Sequence, residues 1–264
     1  MREISKEELK EILEKHKEFL STNGDKGERA DLSYTDLSDV DLESVNLQLA
    51  NLYYSDLHRA NLYSADLSYT NLYKANLEST DLRRANFCDA NLRKVNLHMA
   101  DLNGTILSRA KLNSANLLQA NLSRADLSYA NLDSANLAYT NLFHADLSGA
   151  DLTKVNFNSA DLGCANLAGA DLTGADLTSV NLYLSNLAHT NLPKQIIQIG
   201  PIGSRKSYTI INLSDDRIHC GCWSGSLEGF KKRIDQVYPD GQYRTEYLAV
   251  ISLIENLKKE EKNI

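Results

Sequence analysis

The chain has 264 residues, 24% of them charged and 42% hydrophobic, and carries a formal net charge of −7. It has no apolar run of about 18 residues and no basic leader before an apolar stretch, which argues against a membrane span and a secretory signal. Its four cysteines (Cys88, Cys164, Cys220 and Cys222) are too scattered for a disulfide framework and read as reduced thiols of a cytoplasmic protein.

The first 29 residues predict a short helix. Ser5-Lys6-Glu7-Glu8 fits a capping box, and Leu9, Ile12, Leu13, His16 and Leu20 follow at helical spacing between charges. Such a helix would lay its apolar face over whatever follows, with a partner-binding helix as the alternative. Asn23-Gly24 then opens a polar turn.

From Ala30 the pattern changes. In "ANLYSADLSYTNLYKANL" (Ala60–Leu77) a small residue, then Asp or Asn, then Leu recur every five positions, which suits neither a helix nor a flat strand. Stepping from Leu32 to Leu192 gives 33 repeats without an insertion; only Phe87 and Phe157 replace the central Leu. The residue two before the centre is Ala in 20 repeats and otherwise Thr, Val or Ser. The residue just before it is Asp or Asn except at Ile106 and Lys111. A unit this short buries nothing alone, so copies must stack, with Leu and the small residue inward. Asp and Asn suit corners because their side chains hydrogen-bond nearby backbone.

Tandem A(D/N)Lxx units over Ala30–Lys194 resemble the pentapeptide-repeat family. The resemblance implies an all-β solenoid: a right-handed, four-sided parallel β-helix with four repeats per coil and about eight coils at ordinary strand spacing. The N-terminal helix then becomes its cap, and Phe87 and Phe157 fill wider places in its core.

With four repeats per coil, residues 20 apart form rows. One row reads Ser33, Tyr53, Tyr73, Arg93, Asn113; its neighbour reads Tyr34, Tyr54, Lys74, Lys94, Ser114. Tyr34, Tyr53, Tyr54 and Tyr73 thus lie below Lys74, Arg93 and Lys94, with Lys111 just above. Ladder packing with cations over rings is one reading. A partner-binding face is the second, and single-stranded nucleic acid the third and least favoured. Higher coils show Ser, Gly, Ala and Thr outward, a flat surface suited to a homodimer contact or a seat for the tail. Gly104-Thr105-Ile106 and Lys111 break the corner rule in successive repeats, which reads as tolerated drift or a small bulge.

Charge separates two functional readings. Residues 30–194 hold 18 acidic and 11 basic groups, but 13 of the acids are corner Asp. The outward positions carry five acids (Asp39, Glu43, Glu78, Asp89, Asp133) against ten bases: Arg59, Lys74, Arg83, Arg84, Arg93, Lys94, Arg109, Arg124, Lys154 and Lys194. The resemblance raises the possibility of a DNA-mimicking binder of DNA gyrase, as in quinolone-resistance members of the family. A DNA mimic needs a negative flank, and this one is net basic.

Residues 195–264 leave the period and predict a small separate α+β domain in the order ββαα. "SYTIINL" (Ser207–Leu213) and "RIHCGCW" (Arg217–Trp223) read as strands about a turn at Asp215-Asp216, and Ser226 caps a helix holding Leu227, Phe230, Ile234 and Val237. A second helix is expected from about Thr245 to Lys259. So small a domain is marginal alone but able to dock on the last coil. It also resembles a C-terminal module of bacterial and phage-borne pentapeptide-repeat proteins. His219, Cys220 and Cys222 are the one tempting cluster for metal or redox chemistry, but a zinc site wants four ligands. The reading is therefore no catalytic residue, no cofactor and no metal: a non-catalytic, protein-binding scaffold of a bacterial cytoplasm, with no membrane contact. A homodimer through the upper coils or the C-terminal domain stays open.

Overall fold

The computed structural model describes residues 1–193, 196–202, 207–213, 217–220 and 223–261. Ser5 caps the first helix, α1 (Lys6–Ser21), its hydroxyl accepting from the Glu8 N–H at 3.1 Å. Glu8 itself turns to Arg2 (3.1 Å), so the capping box is half formed. Leu9 and His16 are buried and Ile12 and Leu13 pack against the solenoid core, as the helical spacing predicts; Ile4, ahead of the helix, joins them, and the expected Leu20 is only half-buried.

The repeats wind into a β-helix solenoid. Each corner residue bridges in parallel to the corner 20 residues on, from Asp31↔Asn51 to Asp171↔Asn191, which is the register of four five-residue units per turn. Central side chains from Leu32 to Leu187 are no more than 3% exposed, and Phe87 and Phe157 are fully buried. Only a small group fits beside them, hence the Ala row. Two hydrogen-bond patterns explain the corners. The Asp or Asn Oδ1 accepts from the N–H two residues on (Ser33 to Asp31, 3.1 Å), which holds the turn. Asn amides also donate down the stack to the coil before: Asn51 to Asp31 (2.9 Å), Asn71 to Asn51 (3.1 Å) and Asn91 to Asn71 (2.8 Å). At Ile106 and Lys111 these ladders stop, yet the bridges Asn86↔Ile106 and Asn91↔Lys111 keep register. The break is drift, without a bulge.

The two outward positions of each repeat are not equivalent. The second, from Tyr34 through His189, has φ of 54–66° wherever it is not glycine. The following N–H closes the turn onto the central carbonyl (Ala50 to Leu47, 2.9 Å), with positive φ only at the third turn residue, as in a type II turn. Val, Ile and Thr are absent from this row, whereas Thr153, Thr173 and Thr178 occupy the first outward position. Branching at Cβ clashes in the left-handed region, and a straight or small side chain is tolerated.

The tail has more strands than the sequence pattern suggests. It is a four-stranded antiparallel sheet in the order β1 (Ile196–Ile202), β2 (Ser207–Asn212), β3 (Arg217–Cys220), β4 (Trp223–Ser226), followed by α2 (Leu227–Val237) and α3 (Gln242–Glu261). The expected ββαα order is corrected to four strands and two helices, and α3 starts three residues earlier than Thr245. Pro201 and Gly200 hide β1 from a pattern search, and both are tolerated because β1 is an edge strand whose register shifts between Ile199 and Ile202. β4 is four residues long, and over its Gly225 the Trp223 indole occupies the place of a side chain.

Alternation divides this sheet between two cores. Ile196 and Ile210 join the solenoid core, and the buried Asn212 amide donates to the Leu177 carbonyl (3.0 Å). On the other face Ile211, Ile218 and Cys220 pack with Phe230, Ile234, Val250 and Ile254 of the helices. The tail therefore plugs the shaft as well as folding on itself. No described helix is long and apolar enough to cross a membrane.

Candidate functional site

The row register brings six of the eight expected residues into one contact set. Tyr34 stacks on Tyr54 (5.5 Å between ring centroids, 14°) and Tyr53 on Tyr73 (5.6 Å, 10°), each pair one coil apart. Tyr34 meets Tyr53 edge-on at 5.4 Å, and Tyr53 and Tyr54 tilt together at 4.7 Å. Above them the Lys74 ammonium lies 4.9 Å from the Tyr54 centroid and 5.7 Å from that of Tyr73, and also donates to the Tyr54 hydroxyl. The Arg93 guanidinium lies 5.8 Å over Tyr73, its Nε bonded to Asn91 Oδ1 at 2.9 Å.

The cause is the coil geometry. First-position and left-handed second-position side chains leave the same turn side by side, and the coil above repeats them at strand spacing, within reach of ring stacking. Cations sit at the top because a ring face carries partial negative charge. The hydrogen bond it donates to the Tyr54 hydroxyl holds the Lys74 ammonium above its ordinary pKa, so it stays charged through neutral pH. Desolvation pushes the Tyr53 phenol up, keeping it neutral. Tyr53, Tyr73, Asn71, Asn91 and Arg93 line a shallow depression of about 500 Å³ on this face. Lys94 and Lys111 are exposed and make no ring contact or ion pair among the described residues; they flank the set.

A second aromatic–basic group lies on the opposite face of the shaft, half a coil away, and escaped the sequence reading. Arg83 sits 5.5 Å and Arg84 6.0 Å over Tyr63. The spacing of 20 between Tyr63 and Arg83 is the signal that would have found it.

Pairing of outward charges sharpens the surface. Arg59 grips Asp39 with two bonds (2.7 and 2.6 Å), Arg109 holds Asp89 (2.7 Å), and Arg83 folds onto the corner Asp81 (2.6 Å). Each arginine holds its carboxylate below the ordinary range. Arg83 also lies 3.8 Å from Asp101, so it serves two stacked corner acids that would otherwise repel. Lys74, Arg84, Arg93, Lys94, Arg124 and Lys154 remain without an ion pair among the described residues, and Lys194 lies outside those residues.

In the tail, the Thr209 hydroxyl donates to buried Cys220 Sγ at 3.1 Å. Cys222, Asp215 and Asp216 lie outside the described residues. Among the described residues no group of His, Cys, Asp or Glu could hold a metal ion.

Comparison with known proteins agrees with this architecture. The family described as pentapeptide repeats matches in eight copies, over residues 30–68, 70–109, 105–142, 130–163 and 160–194. Among solved structures, HetL of the cyanobacterium Nostoc sp. strain PCC 7120, a pentapeptide repeat protein involved in heterocyst differentiation regulation, is 35% identical. That match has a TM-score of 0.50 and covers 63% of this chain and 84% of HetL. Full-length QnrB1, a plasmid-mediated fluoroquinolone resistance protein, is 19% identical over 62% of this chain and 83% of its own, with a TM-score of 0.36. Rfr23, a pentapeptide repeat protein of the cyanobacterium Cyanothece 51142, is 29% identical over 46% of this chain and 89% of its own, with a TM-score of 0.20. No curated protein matches at a significant level. With matches spanning most of residues 30–194 and the 20-residue register throughout, the chain belongs to the pentapeptide-repeat family.

Proposed function

We propose that this chain is a non-catalytic scaffold that binds a protein partner through the aromatic–basic face of its first coils. The observation that carries the reading is the connected set of Tyr34, Tyr53, Tyr54 and Tyr73 under Lys74 and Arg93, flanked by Lys94 and Lys111. Rigid aromatics and arginine are the side chains that anchor protein interfaces, and here the shaft holds them without further ordering. The Leu-filled interior leaves no room for an active site, and the family is typically non-enzymatic. The working picture is a shaft of about eight coils over residues 30–194, a cap over 1–29 and a plug over 195–264, in a bacterial cytoplasm. The flat upper coils or the tail would serve as the contact of a homodimer.

The test is capture from lysate by immobilised full-length chain and by the triple variant Y54A/K74E/R93E. A partner retained by the first and lost by the second supports the reading, provided both give the same circular dichroism. An identical captured set from the two sinks it. Shortening the chain after residue 194 is a poor test, because it would uncover the core that Ile196 and Ile210 close. Gyrase binding by DNA mimicry is the disfavoured alternative, since Asp39 and Asp89 are held in pairs with Arg59 and Arg109 and the outward charge left unpaired is still net basic. Titration of this chain into a supercoiling assay should leave the rate unchanged.

A further inference from the structure

The solenoid's first coil is closed on one side and open on the next two. At the closed side the chain's own start supplies a short strand: the Arg2 N–H donates to the Tyr34 carbonyl (2.7 Å) and the Asp36 N–H to the Arg2 carbonyl (2.8 Å). One and two repeats on, the equivalent groups are the Asp41 N–H with the Asp39 carbonyl, and the Asn46 N–H with the Ser44 carbonyl. None of these four has a hydrogen-bond partner among the described residues. Exposure follows the same division, for Asp36 is half-buried while Asp41 and Asn46 are exposed.

Beside this open edge, α1 stands off the coil and leaves a groove of about 690 Å³. Leu9, Leu13, Val40, Leu42 and Val45 line its floor, with Lys6, Lys10 and Lys17 along the helix rim. Val40 and Val45 are only half-buried, unlike Val95, Val155 and Val180 at the same position of later repeats. Two acids also line the groove, and both are engaged. Glu14 faces Lys10 at 3.9 Å, and Asp41 accepts from the Glu43 N–H and the Asn61 amide. Lys6 and Lys17 have no ion pair among the described residues.

We propose that this edge takes an extended acidic peptide of a partner as an added strand. Its backbone would meet the free donors and acceptors at Asp39–Asp41 and Ser44–Asn46, as Arg2 meets Tyr34 and Asp36. Its apolar side chains would fill the space over Val40, Val45 and Leu13, and its carboxylates would face Lys6, Lys10 and Lys17. Main-chain pairing supplies affinity in such a mode, and side-chain pockets and charge supply selection. The site is separate from the tyrosine face.

The probe is a fluorescein-labelled peptide, Glu-Val-Glu-Leu-Glu-Val-Glu, titrated into the full chain and followed by anisotropy. Saturable binding is expected, weakening as salt rises and falling by about tenfold or more with K6E/K17E. Glu at position 6, in the first turn of α1, suits the helix dipole, so the cap should survive this change. An independent measurement needs no variant: N-methylation of the peptide's central amides should abolish binding, and Tyr54→Ala should leave it unchanged. Absence of saturable binding overturns the proposal, as does binding that tolerates both the charge reversals and N-methylation. Displacement by lauric acid together with tight binding of the N-methylated peptide also overturns it, and identifies a lipid groove instead.

Discussion

The two ends of the shaft solve one problem in different ways. A stack of coils ends on an apolar cross-section and a ring of unpaired backbone. At the C-terminal end a sheet is set across the last coil: Ile196 and Ile210 enter the shaft core and Asn212 bonds the Leu177 carbonyl. At the N-terminal end a single helix supplies apolar side chains but no free backbone, because its own peptide groups are already paired. Among the described residues only the Arg2 backbone bridges to the coil edge there. A helix can cover a core without completing an edge, and so one end is a plug while the other is a partial lid beside a groove.

Several substitutions would break or sharpen this contrast, and hydrogen exchange can read each end separately because repeats couple mainly to their neighbours. The largest effect is expected from Ile210→Ala, about 2–5 kcal/mol, with protection lost in β1–β3 and the last coil and unchanged at the first coil. Uniform loss along the shaft would mean that the plug is not a local element. Leu9→Ala should sit at the low end of the same range, about 2 kcal/mol, because the groove beside it already lets water near. Its exchange should rise in α1 and residues 30–50 alone.

Mid-shaft substitutions provide the reference. Ser114→Val, at a left-handed position (φ 57°), should cost about 1–3 kcal/mol in urea unfolding. Ser108→Val, at a first outward position, should cost less than about 0.5 kcal/mol. Equal costs would show that the conformation of the second outward row is not what excludes branched residues.

Acid should loosen the lid. His16 is fully buried, with Nδ1 accepting from the Ala30 N–H (3.1 Å) and Nε2 without a partner among the described residues. Burial pushes its pKa below the ordinary 6.5 and Arg29 adds to this, against an opposing effect of the Gln48 backbone. The unfolded chain therefore takes up the proton first, and stability is lost as the pH falls from about 6.5 towards the lowered folded value. Exchange in α1, corrected for intrinsic rates, should be faster at pH 5.5 than at pH 7.5, and His16→Leu should remove that dependence. The smallest effect belongs to Arg59→Ala. Its exposed pair with Asp39 should leave the urea midpoint unmoved, as exposed ion pairs generally do.

The shaft was legible in the sequence because a five-residue period without insertions admits one packing, and the corner, the core and the tyrosine rows all follow from it. What the period concealed was the conformation of the second outward residue, whose only trace is the absence of Val, Ile and Thr, and the Tyr63–Arg83 group on the opposite face. The tail was half legible. β2, β3 and α2 carry ordinary patterns, but β1 contains Gly200 and Pro201, and β4 is too short to alternate visibly. The open edge at Asp41 and Asn46 could not be read at all, since it depends on how far Arg2 reaches.

The register also constrains how such a molecule can change length. Four units complete a turn, so gain or loss of a single five-residue unit between Lys111 and the tail would keep every coil packed and every bridge made. It would nonetheless swing the terminal sheet and helices a quarter turn about the shaft axis relative to the tyrosine face. Only steps of 20 residues preserve the bearing between the two. Repeat number in this architecture is thus a compass setting as much as a ruler, and duplications in whole turns are the ones that would leave a two-point grip on a partner intact.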